Sequence, residues 1–304
     1  NASGPVTIGE VVYEEPDTSE GAEEGDLVTV ERGYGLVIDG NVNAAGVFDG
    51  IDTRAILISG RDVNGNIQAV ILAEAGMQVT GTATATTFDG HAQTITIGEG
   101  AQMAGINNSG TISALVFRGY DGDGFGDPVY GQGTAVALSI ESGSDVGRID
   151  NSGLITATLN VGGSAATGIV ISSDAVTDIS NTGRIRAVTS NYEATNSPTL
   201  IAVDARAMTS GLTISQSAPA DEDADEPAIV GDVYFGAGAD TMSLTAGRMD
   251  GDIYFGNGAD RLIVHGAEFR GALNTGDGQL EIDVEDATLA LGLTSQTHIT
   301  SARF

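Results

Sequence analysis

Apolar and small polar residues alternate along most of the chain, in short stretches that end at Gly or at Asn-Ser-Gly. The alternating residues are mainly Val, Ile and Thr, which are favoured in strands. A period of two places successive side chains on opposite faces of a β-strand, whereas a helix needs a period of about 3.6 residues. The pattern therefore predicts an all-β chain built from short strands and tight turns.

A motif of the form I-x-N-[ST]-G-x-I occurs three times, at residues 106–112, 149–155 and 179–185. A unit that returns every 20–50 residues or so is typical of solenoids, in which the stacking of coils buries apolar faces that no single coil can bury. We therefore predict a right-handed parallel β-helix (β-solenoid) with the isoleucines of the motif inside. A β-sandwich with similar hairpins is the alternative, and the three matched copies make it the weaker prediction.

The Asn residues of the motif, Asn108, Asn151 and Asn181, are expected to occupy equivalent turns. Stacked amides can each bond to the next, so these residues form a predicted turn ladder. Each copy also precedes a Thr and two apolar residues at alternate positions, which should place each apolar pair on one face of a strand. These sets are Thr134, Val136 and Leu138; Thr167, Ile169 and Ile171; and Thr199, Ile201 and Val203.

A second repeat lies further along the chain, where residues 231–240 read GDVYFGAGAD and residues 251–260 read GDIYFGNGAD. A third copy, from Gly271, lacks the Tyr-Phe pair. The repeat fits coil geometry, with Gly at turns that need positive φ and Asp capping them. It also overlaps the G-x-G-x-D pattern of calcium-binding β-rolls, which makes Asp240 and Asp260 the weaker calcium candidates. One Asp per coil supplies few of the six to eight oxygens that calcium takes.

The preferred calcium candidate is the sequence DGDGFGD at residues 121–127. Asp121, Asp123 and Asp127 alternate with glycines as at the start of a calcium-binding loop, although Gln132 stands where such a loop closes on Glu. Residues 62–66, DVNGN, show a similar but weaker pattern, and their Asn-Gly pair predicts a hairpin turn instead. Calcium is thus the candidate cofactor of the chain.

Charge restricts the partners that the chain can have. It carries 42 Asp and Glu against 12 basic residues, all of them Arg, for a formal net charge of −30. Nucleic acids and anionic membrane surfaces are bound through basic patches, so neither is an expected partner. No apolar run approaches the ~20 residues of a membrane helix, and we expect no membrane span in this segment. The absence of Cys excludes disulfides and thiol chemistry.

Catalytic signals are weak throughout the sequence. His91, His265 and His298 do not have the spacing of metal ligands. Neither a G-x-S-x-G elbow nor an S-x-x-K motif is present. A pair of carboxylates for glycoside hydrolysis would assemble across coils and leave no local motif. The sequence therefore assigns no catalytic residue.

The repeats divide the chain into four predicted segments. These are residues 1–100, a β-rich region that starts the solenoid; residues 101–218, the β-helix with the I-x-N-[ST]-G-x-I motif; residues 219–230, an acidic loop; and residues 231–304, the β-helix with the G-D-[VI]-Y-F-G-x-G-A-D repeat.

Both repeats, together with the sequence SGLTISQ at residues 210–216, resemble the passenger regions of autotransporters, the self-secreting outer-membrane proteins of Gram-negative bacteria. The similarity covers roughly residues 100–304 and is greatest to passengers of the alphaproteobacterial, sphingomonad type. It implies a parallel β-helix that is exported through the outer membrane and displayed at the cell surface or released. It also implies a C-terminal translocating barrel, which we expect to follow beyond this segment.

Two functions are compatible with this resemblance. The favoured hypothesis is a non-enzymatic adhesin or structural surface protein whose partner is a cell-surface or extracellular ligand, either a polysaccharide or another copy of the chain. The alternative is a β-helix lyase or hydrolase that acts on extracellular polysaccharide. A groove in which Arg and several carboxylates converge would favour the enzyme, whereas uniform solvated faces would favour the surface protein.

Overall fold

The computed structural model describes residues 6–8, 11–16, 27–73, 75–117, 133–160, 164–190, 197–293 and 299–303 of the chain. Every helix or strand in these ranges is a β-strand. The strands in chain order are β1 (Val6–Ile8), β2 (Val11–Pro16), β3 (Leu27–Arg32), β4 (Leu36–Ile38), β5 (Asn41–Asp49), β6 (Thr53–Ile58), β7 (Arg61–Val63), β8 (Asn66–Gln68), β9 (Val70–Leu72), β10 (Met77–Val79), β11 (Thr82–Phe88), β12 (Ala92–Ile97), β13 (Ala101–Asn108), β14 (Thr111–Phe117), β15 (Thr134–Ile140), β16 (Asp145–Asn151), β17 (Leu154–Asn160), β18 (Ala165–Ile171), β19 (Asp178–Asn181), β20 (Arg184–Thr189), β21 (Thr199–Asp204), β22 (Thr213–Gln216), β23 (Ala228–Val230), β24 (Asp232–Tyr234), β25 (Thr241–Leu244), β26 (Arg248–Asp250), β27 (Ile253–Tyr254), β28 (Ala259–His265), β29 (Glu268–Asn274), β30 (Gln279–Glu285), β31 (Thr288–Leu293) and β32 (Ile299–Arg303).

Successive strands wind round one axis in coils that stack on one another. In a typical coil, β13, β14 and β15 follow in sequence, and β16, β17 and β18 of the next coil pair with them in parallel. The same order continues through β19–β21, β22–β24 and β25–β27. The predicted fold class, an all-β parallel β-helix, is confirmed, while the handedness of the coils stays a prediction.

The strands form two large parallel sheets. One has 12 strands and contains β13, β16 and β19, and the other has 16 strands. The larger sheet is two runs of stacked strands joined at β29, whose first half pairs with β26 and whose second half pairs with β27. A coil therefore presents three runs of strands around a central core.

The core is built from side chains that repeat at the same position in each coil. The motif isoleucines lie inside as predicted, and each is at most 1% exposed. Burying one such side chain is worth about 1.5–3 kcal/mol. Their positions are Ile106, Ile112, Ile149, Ile155, Ile179 and Ile185. Ile106, Ile149 and Ile179 are direct register partners, so the same apolar atoms meet in every coil.

The prediction that each apolar pair shares one face is wrong for the first copy, where Leu138 is buried but Val136 is only half-buried. The three sets are also not register partners throughout, because Thr167 lies between Val136 and Ile201. The reason is a break in the alternation, since β15 and β18 each have four consecutive buried residues where strict alternation would bury every second one. Both neighbours of a corner residue can point inward, so a period of two does not continue through a corner of the coil.

The second repeat stacks its aromatic residues in two columns. The rings of Tyr234 and Tyr254 lie 4.3 Å apart on the outside, and those of Phe235 and Phe255 lie 5.1 Å apart in the core. At Gly256, φ is +64°, and a Cβ atom would collide with the carbonyl oxygen of the preceding coil. This position therefore requires Gly both for its φ and for the close approach of the coils.

The stack continues across the predicted segment boundaries. In the 16-stranded sheet, β23 pairs with β20 on one side and with β26 on the other. In the 12-stranded sheet, β22 pairs with β25. The last three residues of the segment predicted as an acidic loop, 228–230, are strand β23. Residues 221–226 are exposed, so the acidic segment is an insertion on a continuous solenoid.

The predicted Asn-Gly hairpin at residues 62–66 is confirmed. Strands β7 and β8 are antiparallel, and φ is +57° at Asn64 and +81° at Gly65. Positive φ at both central residues is the requirement of a type I′ turn. The Asp62 carboxylate accepts a hydrogen bond of 2.8 Å from the Gly65 amide, which closes the turn.

The motif asparagines stack in one buried ladder. Asn108 donates from Nδ2 to Oδ1 of Asn151 at 2.7 Å, and Asn151 donates in the same way to Asn181 at 2.7 Å. Asn181 donates to Oε1 of Gln216 at 3.0 Å, which extends the ladder beyond the motif. At the other end the register partner of Asn108 is Val79, and Oδ1 of Asn108 has no hydrogen-bond partner among the described residues.

Replacing the central amide tests this ladder. In Asn151→Leu, Nδ2 of Asn108 and Oδ1 of Asn181 both lose a buried partner. The free energy of unfolding of the variant should therefore be about 1–3 kcal/mol lower than that of the wild type. Thermal and urea unfolding measure the difference. Ser109→Leu, at an exposed position of an equivalent turn, is the control and should leave stability nearly unchanged. An Asn151→Leu protein as stable as the control would contradict the ladder.

Candidate functional site

The structure brings together one of the two sets of predicted calcium ligands. Asp121, Asp123 and Asp127 lie outside the described residues. Asp240 and Asp260 occupy the same position in adjacent coils. Asp240 lies immediately before strand β25, and Asp260 lies within β28. Oδ1 of Asp240 accepts a hydrogen bond of 2.7 Å from the Leu212 amide, and Oδ1 of Asp260 accepts one of 3.0 Å from the Asp240 amide.

Both carboxylates are buried and only half satisfied. Asp240 is 1% exposed and Asp260 is 3% exposed, and the Oδ2 atom of each has no hydrogen-bond partner among the described residues. Burial raises the pKa of Asp240 to about 6, with a smaller contribution from the charge of Asp260, and burial also raises the pKa of Asp260. The pair thus holds its turns through backbone amides and takes up a proton more readily than an exposed Asp does.

The Asp240–Asp260 pair does not form a larger cluster of ligands. Within the described ranges, no three or more His, Asp or Glu side chains are placed to hold one metal ion. Leu280 is the register partner of Asp260 in the following coil. Leu212 holds the position of Asp240 in the preceding coil, because Thr213 is the register partner of Thr241. Apolar residues therefore end the row of Asp residues on both sides. The arrangement therefore favours the interpretation of these Asp residues as turn caps.

Sequence reasoning did not find a second group of polar residues, which we call the arginine cleft. It has a volume of about 500 Å³, and its walls carry Arg184, Arg186 and Arg248 together with Asp225 and Glu226. Arg184 and Arg186 project outward from β20, where the buried residues alternate with them. The acidic residues belong to the insertion that precedes β23.

The register of the strands defines the geometry of the arginine cleft. Ala228 of β23 lies between Arg184 and Arg248, and Val230 lies between Arg186 and Asp250. The floor between the two rows of charges is therefore small and apolar.

Backbone bonds fix the wall that the insertion supplies to the arginine cleft. The Ala228 amide donates to the Gly183 carbonyl at 2.9 Å, and the Arg248 amide donates to the Pro227 carbonyl at 3.2 Å. The end of the insertion is thus tied to the coils on both sides.

The three arginines have different partners. Arg184 pairs with Asp225 at 2.9 Å, and Arg248 pairs with Asp250 at 3.3 Å. Arg186 has no ion pair with a described residue, and its Nε atom is buried without a hydrogen-bond partner. Arg186 is therefore the residue of this cleft most able to accept an anionic ligand.

The sequence carried only a faint signal of the arginine cleft. Arg184 and Arg186 alternate at a period of two in a chain of net charge −30, which marks a locally basic strand face. The proximity of Arg248 could not be foreseen, because coil lengths vary. Ladder neighbours are separated by 43 residues in one coil and 30 in the next, and the later coils repeat after 20.

The histidines do not form a catalytic arrangement in the described part of the chain. Nδ1 of His91 lies 2.8 Å from the Thr134 hydroxyl, but the nearby Asp52 carboxylate accepts from the His91 backbone amide and not from its ring. Nε2 of His265 lies 3.7 Å from Asp283. His298 lies outside the described residues. The described residues around His91 therefore do not form a catalytic triad, in which a third group orients the base towards the nucleophile.

No protein-family model, curated protein sequence or solved structure matches the chain. Where the structure is described, it has no helix long and apolar enough to cross a membrane. The functional argument therefore depends on the fold and on the geometry of the side chains.

The buried carboxyl of Asp240 predicts a specific pH dependence of stability. Its pKa is about 6 in the folded protein against 3.8 for an ordinary Asp, so its contribution to stability is fully present below pH 3.8 and is lost as the pH rises through about 6. The variant Asp240→Asn cannot ionise at this position and does not show this loss. As the pH rises from 4 to 7, its free energy of unfolding should therefore increase by about 1–3 kcal/mol relative to that of the wild type, as measured by urea unfolding at each pH.

Asp174 provides a control with the opposite sign. Hydrogen bonds from the Thr209 amide and hydroxyl and from Ser210 lower the pKa of this exposed carboxylate. Its contribution is present above pH 3.8 and is lost as the pH falls. The stability difference between wild type and Asp174→Asn should therefore develop below pH 4, where the wild type loses this contribution, and should stay nearly constant between pH 4 and pH 7. If Asp240→Asn also shows no change relative to wild type between pH 4 and pH 7, or loses stability there, the assignment for Asp240 is wrong.

Proposed function

We propose that the chain is an autotransporter passenger of a Gram-negative bacterium, exported through the outer membrane and displayed at the cell surface or released. Its proposed role is that of a non-enzymatic adhesin or structural surface protein, which holds a ligand-binding surface away from the cell. The proposal rests on the resemblance of its two repeats to such passengers and on the architecture of the stack.

The observation that carries the proposal is the continuous in-register stack of coils. Parallel strand pairs connect the coils from β4 to β32. Each coil contacts mainly its neighbours, so a solenoid can form a long shaft without disulfides and can fold progressively as it leaves a pore. The net charge of −30 opposes association between shafts in solution. Both properties suit a protein that is secreted through a membrane and then exposed outside the cell.

A polysaccharide lyase or hydrolase is the second candidate, and the arginine cleft is the observation that favours it. Arg and carboxylates do converge there, as such an enzyme requires. However, Asp225 is 79% exposed and is paired with Arg184, and the described residues offer no group of three carboxylates for calcium. The cleft therefore has the groups for binding an anion, but its described carboxylates, Asp225 and Glu226, are both exposed and do not form a buried general base, and we favour binding over turnover.

Surface display can be tested on intact cells of the organism that carries the gene. An antibody raised against the purified chain should label unpermeabilised cells or detect the protein in the medium. Proteinase K added to intact cells should remove the label, while a periplasmic marker protein survives. A chain that is protected in intact cells and degraded only after lysis would contradict the proposed location.

The non-enzymatic role has a separate test. The purified chain is incubated with polygalacturonate and with alginate, with millimolar calcium or with EDTA. We expect neither new reducing ends nor the ultraviolet absorbance of unsaturated uronates. Turnover that depends on the chain would contradict the non-enzymatic role and favour the enzyme, without affecting the proposed location.

A further inference from the structure

We propose that the arginine cleft is a binding site for an acidic saccharide, with Arg186 binding the carboxylate of one sugar residue. The inference deepens the proposed function, on which it rests for the biological source of the ligand. The site itself is inferred from the contacts, charges and spacing of the described residues.

The first argument is the state of Arg186. Arg186 lines the cleft and has no ion pair with a described residue. A guanidinium presents its N–H groups in a planar fork that matches a carboxylate, with two parallel hydrogen bonds. The Nε atom is buried, so a carboxylate in the cleft would bind at the Nη1 and Nη2 end and neutralise the charge there.

The second argument is the size and lining of the space. Arg184 and Arg248 lie on either side of Ala228, two strand spacings apart, which is about 10 Å. A single pyranose ring fits between such walls, and its apolar face can lie on the Ala228 and Val230 floor. The volume of about 500 Å³ is within the range of ligand pockets, about 300–1,000 Å³.

The third argument is the placement of the hydrogen-bond acceptors. Asp225 and Glu226 form the wall on the side of the insertion, and they can accept hydrogen bonds from sugar hydroxyls. An inorganic anion such as sulfate has no donors for these carboxylates and would be repelled by them. The combination of a guanidinium fork with two acceptors therefore favours an acidic sugar over a simple anion.

The attraction of this cleft for an anion is local, because the chain as a whole has a net charge of −30 and the cleft itself contains acidic residues beside its arginines. Of its 12 arginines, three line this one cleft. Exposed pairs such as Arg184 with Asp225 are worth little and are easily exchanged for a ligand. A ligand carboxylate can therefore compete for Arg184 as well, while Arg186 has no ion pair among the described residues.

The probe for the test is glucuronate, with glucose, acetate and sulfate as comparisons, titrated into the purified chain and followed by calorimetry or NMR. Glucuronate should bind more tightly than each of the three comparisons. Arg186→Gln should weaken glucuronate binding roughly ten- to a hundredfold, the effect of losing a charged hydrogen-bonded pair. Arg186→Lys keeps the charge but loses the fork, and it should recover only part of the affinity.

A matched control is Arg261→Gln, which removes an arginine that pairs with Asp283 on the other sheet. It should bind glucuronate like the wild type, and the melting temperatures of all three variants should show that they are folded. The proposal is overturned if glucuronate binds no better than acetate, if sulfate binds equally well, or if Arg186→Gln and Arg261→Gln behave alike. If glucuronate fails to bind, the surface-display test is unaffected. If the protein is protected inside intact cells but binds glucuronate, only the proposed location is refuted.

Discussion

Parallel stacking in register is the constraint on which the rest of the structure depends. Adjacent coils are about 4.8 Å apart, so each side chain meets the residue at the same position in the coils on either side. Apolar residues satisfy this requirement simply, as in the column of Ile106, Ile149 and Ile179. Backbone hydrogen bonds then join each strand to the equivalent strands of the coils on either side. The repeats of the sequence follow from this geometry.

The same constraint decides which polar residues can be buried. An amide carries both a donor and an acceptor, so Asn108, Asn151, Asn181 and Gln216 can continue one chain of hydrogen bonds through several coils. A carboxylate can only accept. Asp240 and Asp260 therefore depend on backbone amides, and their row ends after two coils. The Oδ2 atom of each has no partner in the part of the chain that the structure describes.

The sequence predicted those parts of the fold that repeat locally. The inward isoleucines and the Asn64-Gly65 hairpin follow from alternation and from turn chemistry, and both are present. Gln216 could not be foreseen as the fourth member of the ladder, because it lies outside the Asn-[ST]-Gly motif. Its longer side chain donates hydrogen bonds from Nε2 to the carbonyls of Ala246 and Arg248, which follow the acidic insertion in the sequence.

Features that depend on corners or on variable coil length were beyond sequence reasoning. Val136 and Leu138 were predicted to share one face, and this was wrong because alternation breaks within β15. The arginine cleft was missed because its parts come from β20, from β26 and from the insertion between β22 and β23. Only the stacking of coils brings these segments together, so the candidate ligand site was much less predictable than the core.

Cysteine cross-linking tests the stacking register most directly, because the chain has no native Cys. Gln102 and Asp145 are exposed register partners in adjacent coils. Their Cα atoms should be about 5 Å apart, which a disulfide can bridge. Gln102→Cys with Asp145→Cys should therefore oxidise quickly and almost completely. Ala104→Cys with Asp145→Cys is offset by two residues, about 8 Å, and should not. Equal cross-linking of both pairs, or preferential cross-linking of the offset pair, would contradict the in-register parallel stack.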